Sequence, residues 1–286
     1  MTFSIVALDA ESGDLGIAVA SKFPAAGAAV PFARAGVGAI ATQASANTTY
    51  GPEGLTLMAG GMDAASALDA LVAADDGRTS AKRGSSMLTA GWPPIRVRRA
   101  SSGPAVSRVM VTPHRATSWW APGSWRRWPR HTSQPRGTWS TSLLAALLAG
   151  DSAGGDARGR QSAALLVVRE AGGYMGFNDR YVDLRVDDHP EAPTELARVF
   201  QVWEDTMLVR SDTTIEASAE VVADLQRALK DLGYFTGEPS GTLDDATRKA
   251  LEDWAGWENL ELRLRTDDLL SVRLVGALRA QAEARG

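Results

Sequence analysis

Two short apolar segments near the start of the chain limit its fold more than any other feature. Residues 3–9 (FSIVALD) and 15–22 (LGIAVASK) are rich in β-forming residues, and the ESGD between them is typical of a turn. Together they predict a β-hairpin that begins at the first residues. A sheet built from hairpins favours layered antiparallel packing over parallel β-α-β units.

The segments that follow continue this pattern. Residues 28–33 and 37–45 predict strands, and residues 51–61 and 62–76 predict two helices. The second of these helices begins at an Asp and carries apolar residues at helical spacing.

The later half of the chain returns to strands. Residues 141–151 predict the end of a helix, and residues 161–177 predict two strands around a glycine turn. Residues 180–190 predict one more strand and residues 192–209 a helix. Strand pairs, then helices, then strands again predict an α+β fold built in layers.

A polar stretch, residues 209–218, predicts a domain boundary. Beyond it Leu225, Leu229 and Leu232 fall on one face of a helix, and residues 244–256 predict a second, capped helix. We therefore expect a small all-α module after the boundary. The predicted domains are residues 1–210 and residues 215–286.

Three tryptophans fall on predicted helices of the later part of the chain. Trp203, Trp254 and Trp257 have apolar neighbours at helical spacing. We expect them to lie in the core rather than to form a platform for a ligand.

Residues 79–140 differ sharply from the rest of the chain. This segment holds eleven Lys or Arg and no Asp or Glu, together with six of the nine Trp and seven of the 13 Pro. The net charge of the whole chain is −4, so the remaining residues carry −15. So abrupt a change is not typical of one domain of uniform origin.

Three interpretations of residues 79–140 are open. In G/C-rich coding DNA a shifted reading frame converts every Trp codon to Leu, Val or Met, and residues 117–130 then become an ordinary amphipathic helix. An evolved insert is the second interpretation. The third is a basic, aromatic arm for single-stranded nucleic acid. The interrupting prolines argue against a stacking platform, so we favour the shifted frame and predict no nucleic-acid partner.

Composition excludes several classes of protein. The chain has no Cys, which excludes disulfides and thiol chemistry. No apolar run approaches the roughly 20 residues that span a bilayer, and residues 1–14 do not resemble a signal peptide. We therefore predict a cytoplasmic protein without a membrane partner. The acidic stretch 179–189 has no partner cluster of ligands, so we predict no metal and no cofactor.

Long parts of the chain resemble a known bacterial family. Residues 1–44, YGPEGL (50–55) and residues 150–190 are similar to domain-of-unknown-function family 1028, which is related in fold to the N-terminal-nucleophile (Ntn) hydrolases. The resemblance covers residues 1–78 and about 141–208, but not 79–140. It implies an αββα sandwich of two stacked, mostly antiparallel sheets.

The C-terminal part carries a second resemblance. Residues 225–256 are similar to a helical module of the peptidoglycan-binding type. This resemblance implies a glycan ligand for the module.

With the Ntn resemblance, Thr2 becomes the candidate nucleophile. Removal of the initiator Met would leave Thr2 with a free α-amine that can accept the proton of its own hydroxyl. Ser21 and Lys22 end the second strand of the hairpin, so strand pairing is expected to bring them near Thr2, Ser21 as a candidate for substrate binding and Lys22 as a candidate for catalysis. The charge of Lys22 would lower the pKa of the amine or the hydroxyl. Alternatively, both residues form a solvated strand end.

Two polar segments supply candidate substrate-binding residues. Thr42, Gln43 and Asn47 follow a predicted strand and could bind a substrate amide or form part of an oxyanion hole, or simply a satisfied turn. The glycine-rich segment 150–162 is the second, and arginine is suited to bidentate recognition of a carboxylate. The alternative there is internal Asp–Arg pairing. The candidates of this segment are Asp156, Arg158, Arg160 and Gln161.

These observations predict an Ntn-type hydrolase of a small amide or related C–N bond, with a small-molecule substrate. The alternative is a non-catalytic binding protein with a glycan-binding module. A shifted frame in residues 79–140 would remove part of the fold, so the chain as printed is expected to fold poorly or to be inactive. The sequence leaves formation of a homo-oligomer open.

Overall fold

The computed structural model describes residues 2–9, 12–43, 47–75, 85–89, 98–99, 139–207 and 213–285. Of residues 85–89 and 98–99 only the backbone is described. The chain divides into two compact units, Met1–Val199 and Phe200–Gly286. This division falls inside a helix, upstream of the polar stretch 209–218 on which the sequence-based boundary rests.

The first unit contains two sheets and the helices that flank them. In chain order its elements are β1 (Phe3–Leu8), β2 (Leu15–Ser21), α1 (Ala26–Ala29), β3 (Pro31–Arg34), β4 (Gly38–Thr42), α2 (Tyr50–Ala59), α3 (Ala64–Ala74), β5 (Ser85–Thr89), β6 (Arg98–Arg99), α4 (Trp139–Ser152), β7 (Ser162–Val168), β8 (Arg180–Val186) and the start of α5 (Ala192–Met207).

Both sheets are antiparallel and have four strands. The first has the order β1-β2-β7-β8, and the second has the order β3-β4-β5-β6. β1 and β2 form the predicted hairpin, in which Phe3 is opposite Ala20 and Leu8 is opposite Leu15. The prediction of hairpin-based antiparallel sheets is confirmed.

The two sheets stack face to face between outer helices. Strands β1 and β2 contact β3 and β4, α4 packs on β1 and β2, and α2 packs on β3 and β4. The layer between the sheets is made of small and branched apolar side chains: Val6, Leu8, Leu15, Ile17, Val19, Ala26, Val30, Ala39, Ala41, Ala164, Leu166 and Val168. The architecture is therefore the expected α+β sandwich with αββα layers.

The period of two in this core follows from strand geometry. Successive side chains of a strand point to opposite faces, so residues two apart in β1, β2 and β7 share the inner face. The outer faces pack against helices instead; Gly16 of β2, for example, lies against the side chains of Trp139 and Leu143 of α4.

The segment between β7 and β8 differs from the prediction. We expected a second strand before residue 177, but Tyr174–Gly176 form one 3₁₀ turn in the loop, with Met175 at φ 56°. The backbone N–H of Gly173 donates to the carbonyl of Asn178 at 2.7 Å, which closes the loop on itself. The turn predicted from the glycines is present, but it takes up the residues for which we expected the second strand.

A buried ion pair lies where the β1–β2 turn meets the end of β7. Asp14 is 1% exposed and pairs with Arg169 through both carboxylate oxygens, with Arg169 Nε 2.6 Å from Asp14 Oδ1. The Arg169 guanidinium also lies over the ring of Tyr181, 3.8 Å from the centroid. These contacts join β2, β7 and β8 at this end of the sheet, which we call the hairpin end.

The second unit begins with the last residues of α5 and is mostly helical. It contains β9 (Thr214–Glu216), α6 (Ala219–Leu232), α7 (Asp245–Trp257), β10 (Leu269–Ser271) and α8 (Val272–Arg285). The side chains of Ser218 and Asp244 cap α6 and α7 by accepting backbone N–H groups. β9 and β10 form an antiparallel ribbon that the sequence did not predict.

The predicted helix face of this unit is confirmed, because Leu225, Leu229 and Leu232 are buried in one core. Gln226, on the same helix, is fully buried and fixes the following turn. Its amide nitrogen donates to Ser240, Thr242 and Thr247, and its amide oxygen accepts the backbone N–H groups of Ser240 and Gly241.

The tryptophans of the predicted helices differ in their environment. Trp254 is 1% exposed, and Trp203 stacks on Phe200 with ring centroids 5.8 Å apart. Trp257, in contrast, is 78% exposed at the last residue of α7, so the prediction of a core position is wrong there.

The described residues contain no helix of the length and apolar character needed to cross a bilayer. The three hypotheses for residues 79–140, a shifted frame, an evolved insert or a basic arm, concern residues that fall almost entirely outside those described.

Candidate functional site

The apolar layer between the sheets becomes polar at one end. Extending the inner-face alternation by one step beyond the apolar residues reaches Ser4 of β1, Ser21 of β2, Gln43 after β4 and Ser162 of β7, and a second step in β1 reaches Thr2. We call Thr2, Ser4, Ser21 and Gln43 the Thr2 cluster. Ser162 lies outside this set, because its hydroxyl is bound to backbone groups.

Thr2 and Ser21 are in direct contact within this cluster. Thr2 Oγ1 lies 2.6 Å from Ser21 Oγ, and either oxygen can be the donor. Ser21 is 1% exposed, whereas Thr2 is only partly buried and so remains accessible. The hairpin brings the two residues together because β1 starts where β2 ends.

Ser4 and Ser162 lie on either side of this contact. Ser4 Oγ donates to Gln43 Oε1 at 2.9 Å, which joins β1 of the first sheet to the end of β4 in the second. Ser162 is paired with Ser21 across β2 and β7, and its hydroxyl accepts from Ala26 N and donates to the carbonyl of Phe23. Both serines are almost fully buried.

Asp156 holds the chain immediately after Ser21. Its buried carboxylate accepts the backbone N–H of Lys22 at 3.1 Å and two hydrogen bonds from the Arg158 guanidinium, at 3.0 and 2.6 Å. Burial alone raises the pKa of Asp156, but hydrogen bonds outweigh it, among them those from the Arg158 guanidinium and from the backbone N–H groups of Lys22 and Arg158. The pKa is therefore held well below its usual range, and the carboxylate stays charged.

Lys22, a predicted catalytic residue, extends along the glycine-rich loop. Its side chain is exposed, passes Gly159 and donates from Nζ to the carbonyl of Arg160 at 3.3 Å. The backbone N–H of Gln161 donates to the carbonyl of Ser21 at 2.9 Å. The glycine-rich loop is therefore hydrogen-bonded both to the backbone of Ser21 and to the side chain of Lys22.

Arg160 and Gln161 contact the chain's own carboxylates. Arg160 Nε lies 2.9 Å from both oxygens of Asp151, and its Nη1 is paired with Glu191. Gln161 Nε2 donates to Asp188 Oδ1 at 3.1 Å. Together with the Asp156–Arg158 pair, these contacts match the alternative of internal pairing given for segment 150–162.

Thr42 and Asn47 make local contacts. Thr42 Oγ1 donates to the carbonyl of Ala29 at 2.5 Å. Asn47 Oδ1 accepts the backbone N–H of Thr49 at 3.1 Å, directly before α2. Of the three residues proposed on this segment, Gln43 is the one whose side chain contacts the first sheet, at Ser4.

The structure thus brings Thr2, Ser21 and Gln43 into one cluster and places Asp156 and Arg158 beside it. Sequence reasoning missed Ser4 in the cluster and Ser162 beside it. The signal was present in the sequence, because both residues continue the inner-face alternation of their strands. In the described residues no group of three or more His, Asp or Glu side chains is arranged to hold a metal ion.

The second unit has surface features of its own. Trp257 is its most exposed large apolar residue. A cavity of about 210 Å³ is lined by leucines together with charged residues, among them Arg248, Glu252 and Arg265.

Comparison with known proteins supports two regions of similarity. The model of a "Family of unknown function (DUF1028)" matches residues 2–90 and 126–196, more than half of the chain. Compared with the predicted bounds, the match reaches further into segment 79–140 from both sides, to residue 90 and from residue 126, but it ends earlier, at residue 196. Between its two parts it leaves residues 91–125 unmatched. A second model, described as "Putative peptidoglycan binding domain", matches residues 206–274.

Among solved structures, protein SPO2555 from Silicibacter pomeroyi is similar to the chain and is assigned to the DUF1028 model. The identity is 22%, the alignment covers 71% of this chain and 89% of that chain, and the TM-score is 0.49. No curated protein matches the chain.

Proposed function

We propose that this chain, which belongs to the DUF1028 family of unknown function, is an N-terminal-nucleophile hydrolase that cleaves an amide or related C–N bond. The observation that carries the proposal is the 2.6 Å contact between the hydroxyl oxygens of Thr2 and Ser21. It lies at the polar end of an otherwise apolar layer between two sheets. A partly buried hydroxyl at such a position is held in place and can still be reached by a substrate.

The proposed reaction uses the backbone amine of Thr2 as its base. Removal of Met1 would place a free α-amine, with a pKa of about 8, beside the Thr2 hydroxyl. As the Thr2 oxygen bonds to the substrate carbonyl carbon, its proton passes to this amine. The C–N bond then breaks and the leaving amine takes the proton. Water cleaves the resulting ester and restores Thr2.

The remaining candidate residues take different places in this proposal. Asp156 and Arg158 pair with each other, so we assign them a positioning role at the end of β2 instead of substrate binding. Gln43 stays a candidate for substrate contact because it lies in the Thr2 cluster. Lys22 stays a candidate for lowering the pKa of the Thr2 amine through its charge.

The first test is the state of the N-terminus. Intact-mass measurement of the purified full chain should show that Met1 has been removed. Retention of Met1 would exclude the mechanism, because Thr2 would then have an acylated nitrogen that cannot act as a base.

The second test uses p-nitrophenyl acetate, a small activated ester that needs no natural substrate. The chain should release a burst of about one p-nitrophenolate per Thr2 and carry one acetyl group on its N-terminal peptide. Thr2→Ala, which keeps the α-amine, should lose the burst while its unfolding temperature stays close to that of the wild type. Thr2→Ser should retain the burst. An undiminished burst in Thr2→Ala would contradict the proposal.

Residues 91–125, which the family model leaves unmatched, determine whether these tests should use the chain as printed or a chain with a restored reading frame. We propose that residues 91–125 are translated in a shifted frame, because the family model resumes at residue 126 and this stretch shares the basic, Trp- and Pro-rich composition of segment 79–140. Sequencing of the gene should reveal compensating single-base changes near the two ends of this segment. Confirmation of the printed frame would favour an insert instead. In the shifted-frame case we expect the restored chain to be the more stable and active one.

A second candidate function belongs to residues 206–274, which match the peptidoglycan-binding model. We propose that this region binds a glycan through Trp257. An exposed indole offers a flat apolar face on which a sugar ring can pack. The cavity beside Arg248 and Glu252 is a further candidate place for a ligand of this class.

Sedimentation of the full chain with purified insoluble peptidoglycan tests this second function. Trp257→Ala should reduce the bound fraction several-fold, by loss of one stacking contact of about 1–2 kcal/mol. Phe177→Ala is the matched control, because Phe177 is an aromatic residue of the first unit with a similar exposure, 86% against 78% for Trp257. Equal sedimentation of Trp257→Ala and the wild type would exclude Trp257. The cytoplasmic location predicted from sequence stays a prediction, and cell fractionation would show whether the chain meets such a ligand.

A further inference from the structure

The hydroxyl of Ser21 is held more firmly than that of Thr2. The carbonyl of Ser21 accepts the backbone N–H of Gln161 at 2.9 Å, and the next backbone N–H, on Lys22, is bound to the Asp156 carboxylate at 3.1 Å. Ser21 is also 1% exposed. The loop after α4 therefore fixes the backbone on both sides of a buried hydroxyl that contacts Thr2.

We infer that Ser21 is a positioning residue that donates its hydroxyl proton to Thr2 Oγ1 and so orients and stabilises the nucleophile. This inference rests on the proposed function of Thr2, and it gives Ser21 a role other than the substrate binding expected from sequence. The 2.6 Å contact alone allows either oxygen to be the donor. The proposed chemistry selects one direction, because the Thr2 proton must leave toward the α-amine while the contact to Ser21 persists.

The direction of this hydrogen bond determines its effect on reactivity. Transfer of the Thr2 proton to the α-amine places partial negative charge on the Thr2 oxygen until its bond to the carbonyl carbon is complete, and a hydrogen bond to a charged oxygen is stronger than one between neutral groups. Burial of Ser21 increases this difference in hydrogen-bond strength, since little water competes for the Ser21 proton. Ser21 keeps its own proton throughout, so the proton balance of the acyl transfer is unchanged. Its contribution therefore appears in the rate of attack.

Ser162 provides a matched control. It is directly opposite Ser21 across β2 and β7, is equally buried at 1% exposure and also uses its hydroxyl in hydrogen bonds. Those bonds go to the backbone of Phe23 and Ala26, not to Thr2. Removal of either hydroxyl should loosen the sandwich to a similar degree, whereas only that of Ser21 should change Thr2.

The experiment measures the burst rate constant of p-nitrophenyl acetate with the full chain, separately from the burst amplitude. Ser21→Ala should lower the rate constant about tenfold to hundredfold, through loss of a hydrogen bond to a developing charge. Ser21→Thr, which keeps the hydroxyl, should restore most of the rate, and Ser162→Ala should react at the wild-type rate. A merely structural role would lower the amplitude, which counts folded sites, and leave the rate constant unchanged. Unfolding temperatures of all variants check that each chain is folded.

Three results would overturn the inference. One is a wild-type rate constant in Ser21→Ala, and another is an equal slowing in Ser162→Ala. The third is a folded Ser21→Thr that reacts as slowly as Ser21→Ala. If Ser21→Ala does not fold, Ser21→Cys takes its place, because a thiol is similar in size but a weak donor; it should also react more slowly than the wild type. Absence of a burst in the wild type itself would instead reject the proposed function, and the inference with it.

Discussion

The two ends of the first sheet each carry a buried aspartate paired with an arginine, yet the two pairs differ in what surrounds them. At the hairpin end, Asp14 is bound by Arg169, whose side chain is 21% exposed and lies over Tyr181. At the other end, the Asp156 carboxylate is bound by Arg158, whose side chain is 56% exposed, and it also accepts the N–H of Lys22. An Asp–Arg pair therefore joins neighbouring strands at the hairpin end, whereas at the other end it positions the end of β2.

This difference predicts that the hairpin end matters more for stability. Asp14→Asn should lower the free energy of unfolding by about 3 kcal/mol, because it leaves the largely buried Arg169 without its counter-charge. Asp156→Asn should cost only about 1–2 kcal/mol, since Arg158 can be hydrated when its partner is neutral. Urea unfolding of the two variants beside the wild type measures the difference. An equal or larger loss in Asp156→Asn would break the comparison.

Reactivity should show the opposite order. Asp156→Asn should lower the burst rate of Thr2 with p-nitrophenyl acetate by about five- to tenfold, because a weaker hold on Lys22 N lets the neighbouring Ser21 move. Asp14→Asn should react at the wild-type rate, as its ion pair lies at the opposite end of the strands. Both variants are compared at a temperature where each is fully folded. Equal rates in the two variants would show that Asp156 does not position the site.

Much of this comparison could be predicted from sequence. The hairpin brought Thr2 and Ser21 together as expected, because six residues separate the two strands and only antiparallel pairing fits so short a connection. The inner-face alternation contained Ser4 and Ser162 as well, although their significance became clear only once the register of β7 against β2 was known. Local pattern therefore predicts what lies on one face of a strand.

The contact between Asp156 and Lys22 could not be predicted in this way. The two residues are 134 positions apart in the chain, and no local periodicity links a glycine-rich loop to the end of a distant strand. Asp156 and Arg158, by contrast, are two positions apart in the chain, and their pairing was one of the alternatives open from sequence. Contacts between residues close in sequence could therefore be predicted, whereas contacts between residues far apart in sequence could not.

The pH dependence of stability should sharpen the comparison further. The pKa of Asp156 in the folded chain lies below its ordinary value, so its contribution to stability is present above the unfolded pKa, about 3.9, and is lost as pH falls further. The difference in unfolding free energy between wild type and Asp156→Asn should therefore be constant near neutral pH and shrink below about pH 4. Urea unfolding from pH 3 to about 7 measures it. A difference that grows on acidification would reverse the assigned sign.

Lys22 should produce the smallest effect at the site end. Its Nζ donates to the carbonyl of Arg160 at 3.3 Å and is exposed, so water and salt screen its charge. Lys22→Met keeps the length of the stem and should change the burst rate by less than about threefold. A drop as large as that of Asp156→Asn would show that the ammonium acts on the Thr2 amine directly. In that case the charge of Lys22, and not the hydrogen bond between Asp156 and the Lys22 backbone, would distinguish this end of the sheet from the hairpin end.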